Sequence, residues 1–163
     1  MSQPISEAVF EAIITQLKTI RPENGYRTDA GRYVFRARDA INSSELPAIV
    51  VWDAGEEPQG GTGDGSSYSM TINQSIDIEI QVPAEQADTG YMIGAGKADV
   101  KQCLLSWAPS GGIREVCQGS KIAVLAYEGA EALPRPAGAD AEIVSLRFVA
   151  TYQEGFGDPT RVL

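Results

Sequence analysis

Between residues 71 and 82 the chain alternates apolar and polar positions with a single exception. Ile72, Ile76, Ile78, Ile80 and Val82 fall on one side, with Gln74 their only polar companion. Thr71, Asn73, Ser75, Asp77, Glu79 and Gln81 fall on the other. A period of two is that of a strand. The pattern predicts one face packed on a helix and one meeting water or a polar partner surface. At the start of the chain the period changes. In "PISEAVFEAIITQLKTI", Val9, Phe10, Ile13, Ile14, Leu17 and Ile20 repeat at three and four residues and predict an amphipathic helix. Ser6 or Ser2 is placed to cap it, Glu7 suits its positive end, and Pro22 with Asn24-Gly25 ends it.

The remaining segments fill in the order. "GRYVFRAR" reads as a short strand, with Tyr33 and Phe35 on one side and Val34 and Arg36 on the other. "LPAIVVW" is a more uniformly apolar strand of the kind found inside sheets. A glycine-rich acidic loop follows at about residues 54–68. After the alternating strand, "DTGYMIGAGKADVKQCLLSW" predicts a second helix capped by Asp88 or Thr89, its Gly94 and Gly96 implying close packing or a late start. "IREVCQG" reads as a short helical turn, "KIAVLAYEGAEAL" as a fourth strand and "AEIVSLRFVATYQE" as a fifth. The order α-β-β-β-α-β-β predicts an α+β fold. Its sheet is mixed and mostly antiparallel, of about five strands with two main helices and hairpin-like links in both strand groups. Residues 1–163 are expected to form one domain, with a flexible loop at about 54–68 and a loose tail at about 155–163, "GFGDPTRVL".

Composition narrows the chemistry. The chain has 163 residues, of which 43% are apolar and 21% charged, enough for a folded core. No apolar run reaches the ~20 residues of a membrane helix, and no membrane partner is expected. "MSQPISEAVFEAI" lacks a basic start, so the chain is expected to stay in the compartment where it is made. Thirteen Lys and Arg face 22 Asp and Glu, a net charge of −9. A grip on DNA phosphates needs a basic face. Sequence-specific nucleic-acid binding is therefore not expected, although passage of DNA nearby is compatible with this charge. Histidine is absent, which removes Ser-His-Asp and Cys-His systems and imidazole metal sites. Cys103 and Cys117 are too few for an ordinary zinc site and read as reduced, partly buried thiols; a disulfide between them is not decided by spacing.

Two motifs fail on inspection. "GAGKAD" contains Gly-Lys, but Tyr91 stands where a phosphate loop needs its first glycine and Ala98 where it needs a hydroxyl. "GGTGDG" at residues 60–65 precedes a strand, where a dinucleotide loop requires a helix. Asp53, Glu56, Glu57 and Asp64 are a solvated charge cluster first and a calcium site second, because their spacing departs from the calcium-loop pattern. No cofactor is implied, and no group of residues makes a case for catalysis. A long polar loop on a regular strand suits a protein partner that fixes it on contact.

Whole segments also carry a resemblance. The amphipathic helix leads into "GYRTDAGRYVFRAR", then "ELPAIVVWDAGEE", a variable loop, the alternating strand, a helix and finally "LPRPAGADAEIVSLRFVATYQEGFGDP". Over nearly its whole length the chain resembles the tail terminator (tail completion) proteins of long-tailed bacteriophages, in the lambda-type group. The resemblance implies a small, non-enzymatic α+β subunit of the virion tail, made in the bacterial host cytoplasm. It forms a ring, commonly a hexamer, that caps the tail tube, stops its polymerisation and meets the head–tail connector. The implied partners are the protein itself, the tail-tube protein and the connector or neck protein, with DNA passing through the ring. Another neck or head–tail joining protein is the nearest alternative; a small enzyme using the loop carboxylates is the alternative outside this class. Glu56, Glu57, Asp64, Tyr68, Arg135, Phe156 and Asp158 are the expected contact residues. Asp77 and Glu79, or the loop acids, are candidates for a lumen that repels phosphate. Arg32, Arg36 and Arg38 read as partners of nearby acids, or as bridges between subunits.

Overall fold

A computed structural model describes residues 2–59 and 69–162. The fold is α+β, built on one five-stranded sheet. The elements in chain order are α1 (Ile5–Leu17), β1 (Val34–Arg36), β2 (Ala48–Pro58), β3 (Ser69–Pro83), α2 (Thr89–Trp107), α3 (Ile113–Val116), β4 (Val124–Ala132) and β5 (Ala141–Gly155). In space the strands run β1-β2-β3-β5-β4. β2, β3, β5 and β4 pair antiparallel, whereas β1 pairs parallel to β2. The first strand group therefore contains one hairpin and one crossover, not hairpins throughout. The crossover is residues 37–47, a span long enough to carry the chain back to the start of a parallel neighbour.

β3 lies at the centre and its alternation is the one expected. Ile72, Gln74, Ile76, Ile78, Ile80 and Val82 are all buried. They share a face with Ile49 and Val51 of β2 and with Val144, Leu146, Phe148, Ala150 and Tyr152 of β5. The helices cover that face: Val9, Phe10, Ile13 and Leu17 of α1 and Val100, Cys103 and Leu104 of α2 join the same core. Burial at this density is the main stabilising term. Gly94 has open space around it, so of the two glycines close packing accounts for Gly96 alone. A Cβ there would come within 3.0 Å of the Ile80 side chain, so the helix sits directly on β3. The helix begins at Thr89, which rules out the late start.

Caps differ from expectation. Pro4 occupies the cap position of α1, Ser6 lies inside the first turn, and the Ile5 N–H donates to the Pro159 carbonyl at 2.9 Å. At α2 the Asp88 side chain makes no capping bond; Thr89 Oγ1 instead donates to the Pro83 carbonyl at 2.8 Å, tying the helix to the end of β3. Among the described residues no helix is long and apolar enough to cross a membrane.

Candidate functional site

The acidic segment is not a loop from residue 54. β2 continues to Pro58, with Glu56 opposite Gln74 and Glu57 opposite Asn73. What permits this is a bulge: between the pairs Asp53–Ile76 and Glu56–Gln74, β2 uses one residue more than β3. Gly55 takes the left-handed conformation there, φ +99°, which a residue without a Cβ adopts at low cost. Gln74, the one polar residue in the apolar row, is the brace. Its Nε2 donates to Asp53 Oδ1 at 2.8 Å and to the Gly55 carbonyl at 3.0 Å, while the Gly55 N–H donates to the same Asp53 oxygen at 2.9 Å. A buried amide so satisfied fixes one geometry. The bulge also sorts the two acids, Glu56 toward the helix side and Glu57 toward the open side.

The tail is not loose either. The Gly155 N–H donates to the Arg161 carbonyl, and the Asp158 N–H to the Gly155 carbonyl, at 2.6 and 2.9 Å. Gln118 donates from Nε2 to the Thr160 carbonyl and accepts from the Val162 N–H, at 2.8 and 2.9 Å. Asp158 accepts from the Thr160 hydroxyl, from Arg161 Nε and from the Thr160 N–H, and these contacts hold its carboxyl below the usual aspartate range. Phe156 projects from this turn and is 60% exposed, so it does not fold back onto its own core.

Register places the expected contact residues in three regions. Glu56, Glu57, Phe156 and Asp158 gather at one end of the sheet, where β3 begins opposite Gly155. Arg135 lies at the other end, between β4 and β5, ion-paired to Glu85 at 3.0 Å and to Glu142 at 3.2 Å. Asp77 and Glu79 lie mid-sheet on the face away from the helices. Asp64 and Tyr68 lie outside the described residues. Asp77 is not a free acid: Arg147 grips it through two bonds of 2.7 Å each, and Glu128 and Glu131 stand close to the same guanidinium. Of the three arginines near β1, Arg36 pairs with Glu7 and lies over the Phe10 ring, and Arg38 pairs with Glu45 and lies over Phe35. For these two the bland pairing is realised within one subunit. Arg32 lies over Tyr33.

Two groups at the gathered end escaped sequence reasoning. Glu154 is almost fully buried on the helix side, and burial followed by the field of Glu56 pushes its carboxyl above the usual glutamate range. Tyr152 is fully buried beside it. Its hydroxyl makes no hydrogen bond, and burial, then the fields of Glu56 and Glu154, hold it well above the usual tyrosine range and so oppose its ionisation. The signal was available in part: Glu154 continues the even-numbered apolar row of β5, an acid at a core-facing position. Among the described residues no three Asp, Glu or Cys side chains are placed to hold a metal. Asp53 is turned into the bulge and Glu56 and Glu57 face opposite ways, so these carboxylates do not converge. No protein-family model matches the chain, and neither does any curated protein.

Proposed function

We propose that the protein is a tail terminator of a long-tailed bacteriophage. In this reading it is a structural subunit of the virion tail that forms a ring, commonly a hexamer in the group it resembles. The ring caps the tail tube, stops its polymerisation and joins the tail to the head–tail connector. One observation carries the reading beyond sequence likeness. "ELPAIVVWDAGEE" and "RFVATYQEGFGDP", two phrases on which the resemblance rests, fold into β2 and β5 on either side of β3. Their last residues meet at one end of the sheet. Segments about a hundred positions apart thus bring the exposed acids Glu56 and Glu57 and the exposed ring of Phe156 toward the same end of the sheet, where contact with another protein could use them.

Two further features agree with a ring subunit. Among the described residues helices cover one face of the sheet and β4 has no strand on its outer side; heterologous contacts use such unlike surfaces. The open face also carries acids. Asp77 is neutralised by Arg147, so Glu79, Glu128 and Glu131 are the better candidates for a lumen that DNA passes without sticking. A map of an assembled ring with a basic lumen would remove that role. The capping role is tested by adding purified protein to polymerising tail-tube protein and imaging the products by electron microscopy. The expected result is tubes that stop growing and carry a ring at one end. Unchanged tube lengths with bare ends would refute it.

A further inference from the structure

Phe156 stands on a braced turn. The backbone bonds of Gly155, Asp158 and Arg161, the left-handed Gly157 (φ +78°) and the Gln118 clamp hold the segment on both sides. A large apolar ring is thus presented to solvent on backbone whose ordering cost is already met by folding, the condition that favours an anchor residue at a contact.

The same molecule carries a matching hole. Ala108, Pro109, Ile113, Ala123, Val124 and Leu125 line a cavity of about 250 Å³ between the end of α2 and the first residues of β4. On the order of 150 Å³ of apolar space holds a benzene ring, so the volume is sufficient for a phenylalanine ring. Val124 and Leu125 of the end strand β4 form one wall, and Val124 is 49% and neighbouring Ile122 39% exposed. Within one chain Phe156 leaves the hole unfilled, because the ring is in solvent. Arg114 stands among these apolar lining residues.

We propose that Phe156 of one copy seats in the Pro109–Ile113–Val124 cavity of a second copy. Knob and hole are different patches, so two copies either exchange them reciprocally in a closed pair or join head-to-tail, closing as a ring where the rotation permits; the ring reading requires the second mode. It supplies a joint for the ring proposed above, and in that respect rests on that reading; the joint itself is tested without any tail protein.

The test is sedimentation velocity over a concentration series, on the wild-type chain, on Phe156→Ser and on Val124→Lys. Both substituted side chains are about half exposed or more, so both variants are expected to fold, which circular dichroism checks. Wild type is expected to assemble with rising concentration, and each variant to need roughly tenfold more protein or greater for the same degree of assembly. Phe156→Ser keeps a hole and Val124→Lys keeps a knob. An equal mixture is therefore expected to give a two-chain species that does not grow. A wild-type protein that stays monomeric to about 100 μM, or a Phe156→Ser variant that assembles like wild type, overturns the proposal. Tube capping by wild type alongside unimpaired self-assembly of Phe156→Ser leaves the terminator reading standing and removes this joint. Self-assembly through Phe156 without capping does the reverse.

Discussion

Asp99 holds Thr28 twice through one oxygen: the Thr28 N–H and its hydroxyl both donate to Oδ2 at 2.8 Å. Arg27 adds its backbone N–H and its Nη1, each at 3.1 Å. The carboxylate is fully buried in α2, so the chain between α1 and β1 is pinned to a helix some 70 residues later. Asp99→Ala leaves backbone donors unpaired in the interior and should cost about 3 kcal/mol. Thr28→Val removes one hydroxyl and should cost about 1 kcal/mol. Urea unfolding checks both; equal losses for the two variants would contradict this assignment.

Gly31 is required by contact. Its N–H donates to the Ile20 carbonyl at 2.9 Å, and a Cβ on it would lie 2.5 Å from the Leu17 carbonyl oxygen and 2.6 Å from that of Ile20. Both obstacles are backbone at the end of α1. Gly31→Ala should therefore lower stability by about 2 kcal/mol or more. Gly90→Ala, with open space around the added methyl, serves as the control and should change little. A thermal melt of Gly31→Ala that matches the control would show that the two segments separate freely.

Glu154 should make the protein more stable as neutral solution is mildly acidified. Its folded carboxyl titrates above the usual glutamate range, first through burial and then through Glu56. The folded state therefore binds its proton earlier than the unfolded chain does. Stability rises as pH falls through the folded value and levels off below the unfolded one. Glu7 and Asp158 shift the opposite way and give up stability only at lower pH, as they are protonated away from Arg36 and from Thr160 and Arg161. Glu154→Gln should raise stability near neutrality and flatten the upper part of the profile. Chemical denaturation across pH reads this directly, and a variant whose profile parallels wild type would refute it.

Neither thiol should react in the folded protein. Burial pushes Cys117 up to about 12, and it raises Cys103, whose Sγ donates to the Gln16 carbonyl at 3.2 Å. Thiolate, not thiol, is the reactive form. A colorimetric thiol reagent at mildly alkaline pH should find almost none in native protein and both after unfolding. Prompt reaction of either cysteine without denaturant would contradict the burial.

The parts of the fold that could be read from sequence are those where burial repeats. β3, β5 and α1 each place apolar residues at the period of their own backbone, and the α+β class follows from their order. The distal half of β2 has no such trace. Glu56 and Glu57 are exposed acids, and only the hydrogen-bond ladder to β3 makes them a strand. The direction of β1 is equally silent, because parallel and antiparallel neighbours bury the same side chains. The tail is held by backbone bonds and by Gln118, a polar residue 42 positions before Thr160, and backbone bonding carries no residue signature. Glu56, Glu57, Phe156 and Asp158 were legible as surface candidates, but their assembly at one end depends on register, which no local pattern encodes.

The bulge braced by Gln74 sets the reading frame of the strand beyond it. Up to Asp53, odd-numbered residues of β2 face the helices; after the extra residue, even-numbered ones do. Were Ala54 and Gly55 both to take regular strand positions, that frame would be lost, turning Glu57 toward buried Glu154 and Tyr152 and Glu56 toward open solvent, whereas deleting one of the pair would leave Glu56 on the helix side. The surface chemistry of the whole end is thus encoded by a count, the number of regular strand positions that pair takes, as well as by the identity of the side chains it displays.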